Sequence, residues 1–146
     1  MLFRRELRQI AALAVLLDTS ACYAESALRL GEIRAYLIWE QSGSMSKNVA
    51  GARQPIIAID KRLGTSLQVR IDASIEGVSP PLTSFELRMV IHRDGNTIFD
   101  QTFSDYFIKP RVIRATIVEH KCGDLNVEVS MGSQRRAAAL SFWCGD

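Results

Sequence analysis

Few residues of this chain have the chemistry for a site. Its 146 residues include two histidines, His92 and His120, and three cysteines, Cys22, Cys122 and Cys144. His120 stands two residues before Cys122, so His120, Cys122, Cys144 and His92 together contain the right atom types for a zinc site. A structural zinc takes four such ligands, and a Cys122–Cys144 disulfide would consume two of them. In an oxidising compartment an even pair of cysteines reads as a disulfide, so the expectation is a bridge, with no metal and no cofactor.

Nucleophilic catalysis finds no better support. No Gly-x-Ser-x-Gly elbow occurs, and Gly43-Ser44 lies in a polar stretch with no strand-to-helix turn behind it. The triplet His92-Arg93-Asp94 has the letters of a kinase catalytic loop, but no Gly-rich phosphate loop accompanies it. Asp100 and Asp105 are carboxylates that nothing in the sequence sets across a cleft. No catalytic residue is assigned, and the chain reads as something other than an enzyme.

The amino terminus is an address. Arg4, Arg5 and Arg8 precede the apolar run Ile10 to Leu17 (IAALAVLL). Eight helical residues rise about 12 Å, far short of a bilayer core of about 30 Å, but they suit the h-region of a cleaved signal. Small residues at positions 22 and 24 mark a cut before Glu25, and Thr19-Ser20-Ala21 offers an earlier one. The predicted division is a secretory signal peptide over 1–24 and one domain over 25–146. Thr19-Ser20-Ala21-Cys22 resembles a bacterial lipoprotein box but lacks its leading apolar residue, so a lipid anchor at Cys22 is the lesser alternative. The Arg4-Arg5 pair is similar to a twin-arginine signal, although Arg8 fills a position usually apolar there. Export, to the periplasm or outside the cell, is the expectation, with membrane contact only through the signal.

Hydrophobic residues make up 47% of the chain, too many for a disordered protein, and a net charge of +2 gives no electrostatic reason to expect nucleic acid. Beyond residue 27 the apolar residues recur with period two. Ile33, Ala35, Leu37 and Trp39 form one such face; Leu67, Val69, Ile71, Ala73 and Ile75 a second; Phe85, Leu87, Met89 and Ile91 a third; Leu125, Val127, Val129 and Met131 a fourth. Shorter or mixed runs at Pro55 to Asp60, Thr97 to Phe107, Val112 to His120 and Arg136 to Cys144 complete about eight strands. With no helical window between them, they predict an all-β, two-layer antiparallel sandwich of immunoglobulin or fibronectin type, with a small closed barrel as alternative.

Two turns set registers. For Asp94-Gly95-Asn96, a three-residue loop would bring Phe99, Gln101 and Phe103 to the apolar face of the preceding strand. A two-residue Asp-Gly turn would bring Ile98, Asp100 and Thr102 there, so burial favours the longer loop. Gly132-Ser133 suits a type II′ turn that pairs Val127 with Ala138 and Leu125 with Leu140. Cys122 then falls opposite Trp143, and a bulge at Gly123 is predicted to bring it to Cys144.

Contact surfaces are sought in loops. Gln41 to Gln54 (QSGSMSKNVAGARQ) is a long polar connection, making Met45, Lys47 and Asn48 candidate contact residues. In Phe103 to Pro110, Tyr106 and Phe107 are neighbours that cannot both face one core, so one of them is a candidate contact. Core packing accounts for Trp39 and Trp143 better than a sugar-stacking platform does. The resulting expectation is a non-catalytic binding or structural accessory domain whose partner is another envelope or secreted protein, met through loops or a sheet edge. A protease-inhibitor-like module presenting the 41–54 loop is the alternative, and a small hydrolase comes after both.

Overall fold

The computed structural model describes residues 28–60, 62, 64–77, 83–118 and 122–143, and these form strands and turns without a helix. The proposed signal, Cys22, His120 and Cys144 lie outside the described residues. Nine strands follow in order: β1 (Leu28–Trp39), β2 (Ile56–Ile57), β3 (Ile59–Asp60), β4 (Gly64–Gly77), β5 (Thr83–Arg93), β6 (Asn96–Phe107), β7 (Arg111–Val118), β8 (Gly123–Met131) and β9 (Gln134–Trp143). One sheet places β4 between β1 and β7, with β3 added at the start of β4; the other runs β2-β9-β8-β5-β6. All pairings are antiparallel except β2 with β9.

The alternation of the sequence is what brings the sheets together. Val69, Ile71 and Ile75 of β4 are fully buried, as are Leu87, Met89 and Ile91 of β5 and Val127 and Val129 of β8, in one continuous apolar cluster. Each such side chain contributes about 1.5–3 kcal/mol on leaving water. The arrangement is sandwich-like. It is not the closed barrel held as alternative, because β6 pairs only with β5 and β7 only with β4 among the described strands, leaving the two sheets unjoined along that side.

Bulges refine the plain alternation. In β1 the buried positions are Leu28 and Leu30, then Ala35, Leu37 and Trp39, so the parity changes between Leu30 and Ile33, where the register with β4 shifts. Gly31 lies in this irregularity, and a Cβ there would come within 2.2 Å of Ser74 Oγ. The run Pro55 to Asp60 is not one strand but two. β2 joins β9 in one sheet, β3 joins β4 in the other, and buried Ala58 marks the crossing.

The β5–β6 turn corrects the loop-length reasoning while keeping its outcome. Arg93 pairs with Asn96 across a two-residue turn in which Asp94 and Gly95 both have positive φ (48° and 81°), the requirement of a type I′ turn. A register shift between Ile91 and His92 then inserts Ile98 as an extra residue, so Phe99, Gln101 and Phe103 lie opposite Ile91, Met89 and Leu87 after all. Burial of two aromatics is achieved by a bulge rather than by a longer loop. The β8–β9 hairpin pairs Val127 with Ala138 and Leu125 with Leu140, around Gly132 at φ 57°. The bulge predicted at Gly123 is absent. The ladder runs straight from Met131–Gln134 to Gly123–Phe142. Gly123 instead takes φ 113°, with the Asp94 carboxylate in the space a Cβ would fill, and Asp94 accepts the Asp124 N–H at 3.2 Å.

Candidate functional site

The loop read as a contact surface is built into the sheet. From Gln41 the chain turns back along the outer edge of β1 and takes the place of a further strand. Trp39 N–H donates to Ser44 O (3.0 Å), Leu37 N–H to Ser46 Oγ (3.0 Å) and Ala35 N–H to Asn48 Oδ1 (2.9 Å). In return the carbonyls of Trp39, Leu37 and Ala35 accept from Gly43, Ser46 and Val49 N–H. Every edge group of these three residues is thereby satisfied. Serine and asparagine do this because their short side chains hold an oxygen two or three bonds from Cα, close enough to stand in for a strand carbonyl. Asn48 is thus occupied in holding the edge, and Met45 is exposed with its sulfur 3.3 Å from Arg70 Nη1. Lys47 is exposed, and its carbonyl accepts from Ser46 Oγ.

The beginning of β1 is covered by a different device. Gln134, at the start of β9 in the facing sheet, accepts from Leu30 N–H at 2.8 Å and donates to Leu28 O at 2.9 Å. One side-chain amide imitates a passing strand.

The opposite side of the molecule has no such cover among the described residues. β6 and β7 are both edge strands, and the exposed apolar residues Ile98, Tyr106, Ile108, Val112 and Val118 lie on or between them. Tyr106 is 55% exposed while Phe107 is 2% exposed and belongs to the core, so only the tyrosine is available as a contact. Half-buried Phe99, Phe103 and Ile113 pack against the core along the same side. Trp39 is buried, but Trp143 is 54% exposed beside exposed Ile57, which overturns core packing for the second tryptophan. The outward parity of Trp143, one residue after buried Phe142, already carried that signal.

Three carboxylates, Asp72, Asp100 and Asp105, are engaged by arginines. Asp72 is 8% exposed on the outer face of its sheet. It accepts both Nε and Nη2 of Arg70 (2.8 and 2.6 Å) and Nε of Arg114 (3.1 Å), while Arg70 also lies over the Tyr36 ring. Burial pushes the Asp72 carboxyl up, but the hydrogen bonds and charges of Arg70 and Arg114 together hold it below the usual value. Asp100 binds Arg88 through two oxygens (2.8 and 2.6 Å), and this hydrogen bonding holds its carboxyl low. Asp105 is held low first by Arg111 and then by the Tyr106 N–H. Carboxylates fixed in the anionic form are poor proton donors at neutral pH. His92 lies within 3.1 Å of Thr97 Oγ1, on the outer face. Among the described residues no group of three or more His, Cys, Asp and Glu gathers as metal ligands do. Cys122 is disulfide-bonded, and Cys144 lies outside the described residues.

The sequence matches no known protein-family model and shows no significant similarity to any curated protein.

Proposed function

We propose that this is a small exported, non-catalytic domain, a binding or structural accessory of the cell envelope or secreted fraction, and that it engages another exported protein along the β6 edge. The observation that carries this reading is the contrast between edges: β1 is capped group by group, whereas β6 runs for 12 residues beside Ile98 and Tyr106 with no strand on its outer side among the described residues. An extended segment adding to such an edge gains main-chain hydrogen bonds, and the flanking apolar side chains give specificity.

The strand order supports an immunoglobulin or fibronectin-like topology. β1, β4 and β7 correspond to strands A, B and E, facing β9, β8, β5 and β6 as G, F, C and C′. Export is supported by Arg4, Arg5, Arg8 and the run Ile10 to Leu17, and it removes Cys22, which makes Cys144 the partner of Cys122. The bridge closes a loop of about 23 residues, worth about 3 kcal/mol in the chain-entropy model. Intact mass of the protein from its native host, with alkylation before and after reduction, tests both: the reading requires a mass starting at Glu25 and thiols labelled only after reduction. A photo-crosslinking residue at Tyr106 tests the edge. It is expected to trap another exported protein in the native host, while the same residue at Lys47 traps none; trapping at Lys47 alone would refute the edge.

A further inference from the structure

β7 is the second strand with an open side, and its residues differ in kind from those of β6. Among the described residues it pairs with β4 alone, and none of its backbone groups bonds to a loop. Val112 and Val118 are 51% and 60% exposed on the outer face, while Ala115 and Ile117 are buried on the inner one. Arg114 is the one charged residue from Val112 to Val118, and Asp72 of β4 holds its Nε at 3.1 Å. No lysine, proline or bulge in that stretch turns a second strand away.

The stretch reads almost the same in either direction: Val-Ile-Arg-Ala-Thr-Ile-Val, with Ala115 at its centre. A two-fold axis perpendicular to a sheet pairs an edge strand antiparallel with its own copy and keeps both apolar faces on one side. We propose that β7 pairs in this way with β7 of a second copy of the chain, about an axis at Ala115, joining two sheets into one. Val112 then faces Val118 of the second copy, Ile113 faces Ile117 and Arg114 faces Thr116, each pair occurring twice. The exposed valines cover each other on the outer face, half-buried Ile113 gains an apolar neighbour on the inner face, and a small residue sits at the axis. An axis at Arg114 would set two guanidinium groups opposite each other, and one at Thr116 would leave Val112 opposite a residue beyond the strand. The Ala115 register keeps the arginines out of direct opposition, each already bound to its own Asp72. The pairing engages no backbone group of β6, so it goes beyond the β6-edge reading and does not depend on it.

Sedimentation equilibrium of the full mature protein tests this, with the variants V112K, V118E and V112K/V118E. The wild type is expected to pass from monomer to dimer as its concentration rises from about 1 µM to about 1 mM. V112K or V118E alone sets a charge against valine twice per dimer, and each is expected to weaken the dimer about tenfold. The double variant sets opposite charges face to face across the axis and is expected to return to within about threefold of the wild-type constant. Positions 112 and 118 lie about 20 Å apart on one strand, so no contact within a single chain produces that rescue. Amide exchange of the dimer is expected to show added protection at the alternate β7 amides that face away from β4. A wild type still monomeric at about 1 mM would overturn the proposal. So would a double variant no tighter than the single ones, or a dimer whose added protection falls on β6 instead of β7. Should a variant fail to fold, the β7 protection of the wild-type dimer decides alone.

Discussion

The β1 edge and the β6 edge are both the outermost strands of their sheets, yet the chain treats them in opposite ways. Along β1, three N–H groups and three carbonyls of alternate residues are met by the returning 41–54 segment, and Gln134 covers Leu28 and Leu30 from the facing sheet. Along β6 the outer side carries no strand among the described residues; the features there are a bulge at Ile98, the Asp100 and Asp105 ion pairs, and Tyr106. An unpaired edge is a template for another strand, and natural sheets blunt it with charge, bulges or cover. Among the described residues one edge has cover, while the other has a bulge and charges, which limit aggregation and occupy the edge backbone at Tyr106, whose N–H Asp105 accepts and whose carbonyl accepts from Arg111. Polar composition alone does not distinguish a recognition loop from an edge cover. What distinguishes them is whether each backbone group of the neighbouring strand has a partner.

Breaking the covered sheet should have the largest effect. Asp72→Ala removes the shared partner of Arg70 and Arg114, the side-chain tie that supplements the β4–β7 ladder; a loss of about 2 kcal/mol is expected, between the value of an exposed pair and that of a fully buried one, read from urea unfolding. The pH dependence has a definite sign. The Asp72 carboxyl is held below its unfolded value, so its stabilisation is complete above that unfolded pKa of about 3.9 and disappears as the pH falls through the lower, folded value. Asp72→Asn is therefore expected to flatten the acid limb of stability below about pH 4; an unchanged acid limb would contradict the network.

Smaller effects sharpen the contrast. Asn48→Ala removes the acceptor for Ala35 N–H and for Ala50 N–H, and about 1–2 kcal/mol should be lost together with protection of the Ala35 amide. Gln134→Ala uncovers the first residues of β1 for about 1 kcal/mol, with faster exchange at Leu30 as the local signature. Tyr106→Lys should change stability by less than about 0.5 kcal/mol, since the side chain is exposed, and yet abolish crosslinking to the partner. A large destabilisation by Tyr106→Lys would show that this face supports the fold instead of presenting it.

The period-two pattern made the strands readable because burial on one face writes itself into alternate residues, as in Leu87, Met89 and Ile91. The β8–β9 register was readable for the same reason, with Gly132 supplying the turn. Bulges were not readable, since one inserted residue such as Ile98 or Glu32 has no composition of its own. A two-residue Asp94-Gly95 turn followed by a bulge buries the same aromatics as a longer loop, so hydrophobicity does not choose between them. The site was the least legible part. Asn48 and Ser46 look like loop residues because their work is done by oxygens bonded to a strand 9 to 13 positions away.

Native-state amide exchange, resolved by residue on the isolated mature protein, tests the central contrast most directly. Strong protection is expected at Ala35, Leu37 and Trp39, whose N–H groups are bonded to the returning segment, and rapid exchange at the alternate β6 amides that face away from β5, apart from Tyr106, whose N–H Asp105 accepts. Fast exchange at Ala35 and Leu37, or uniform protection along β6, would contradict it.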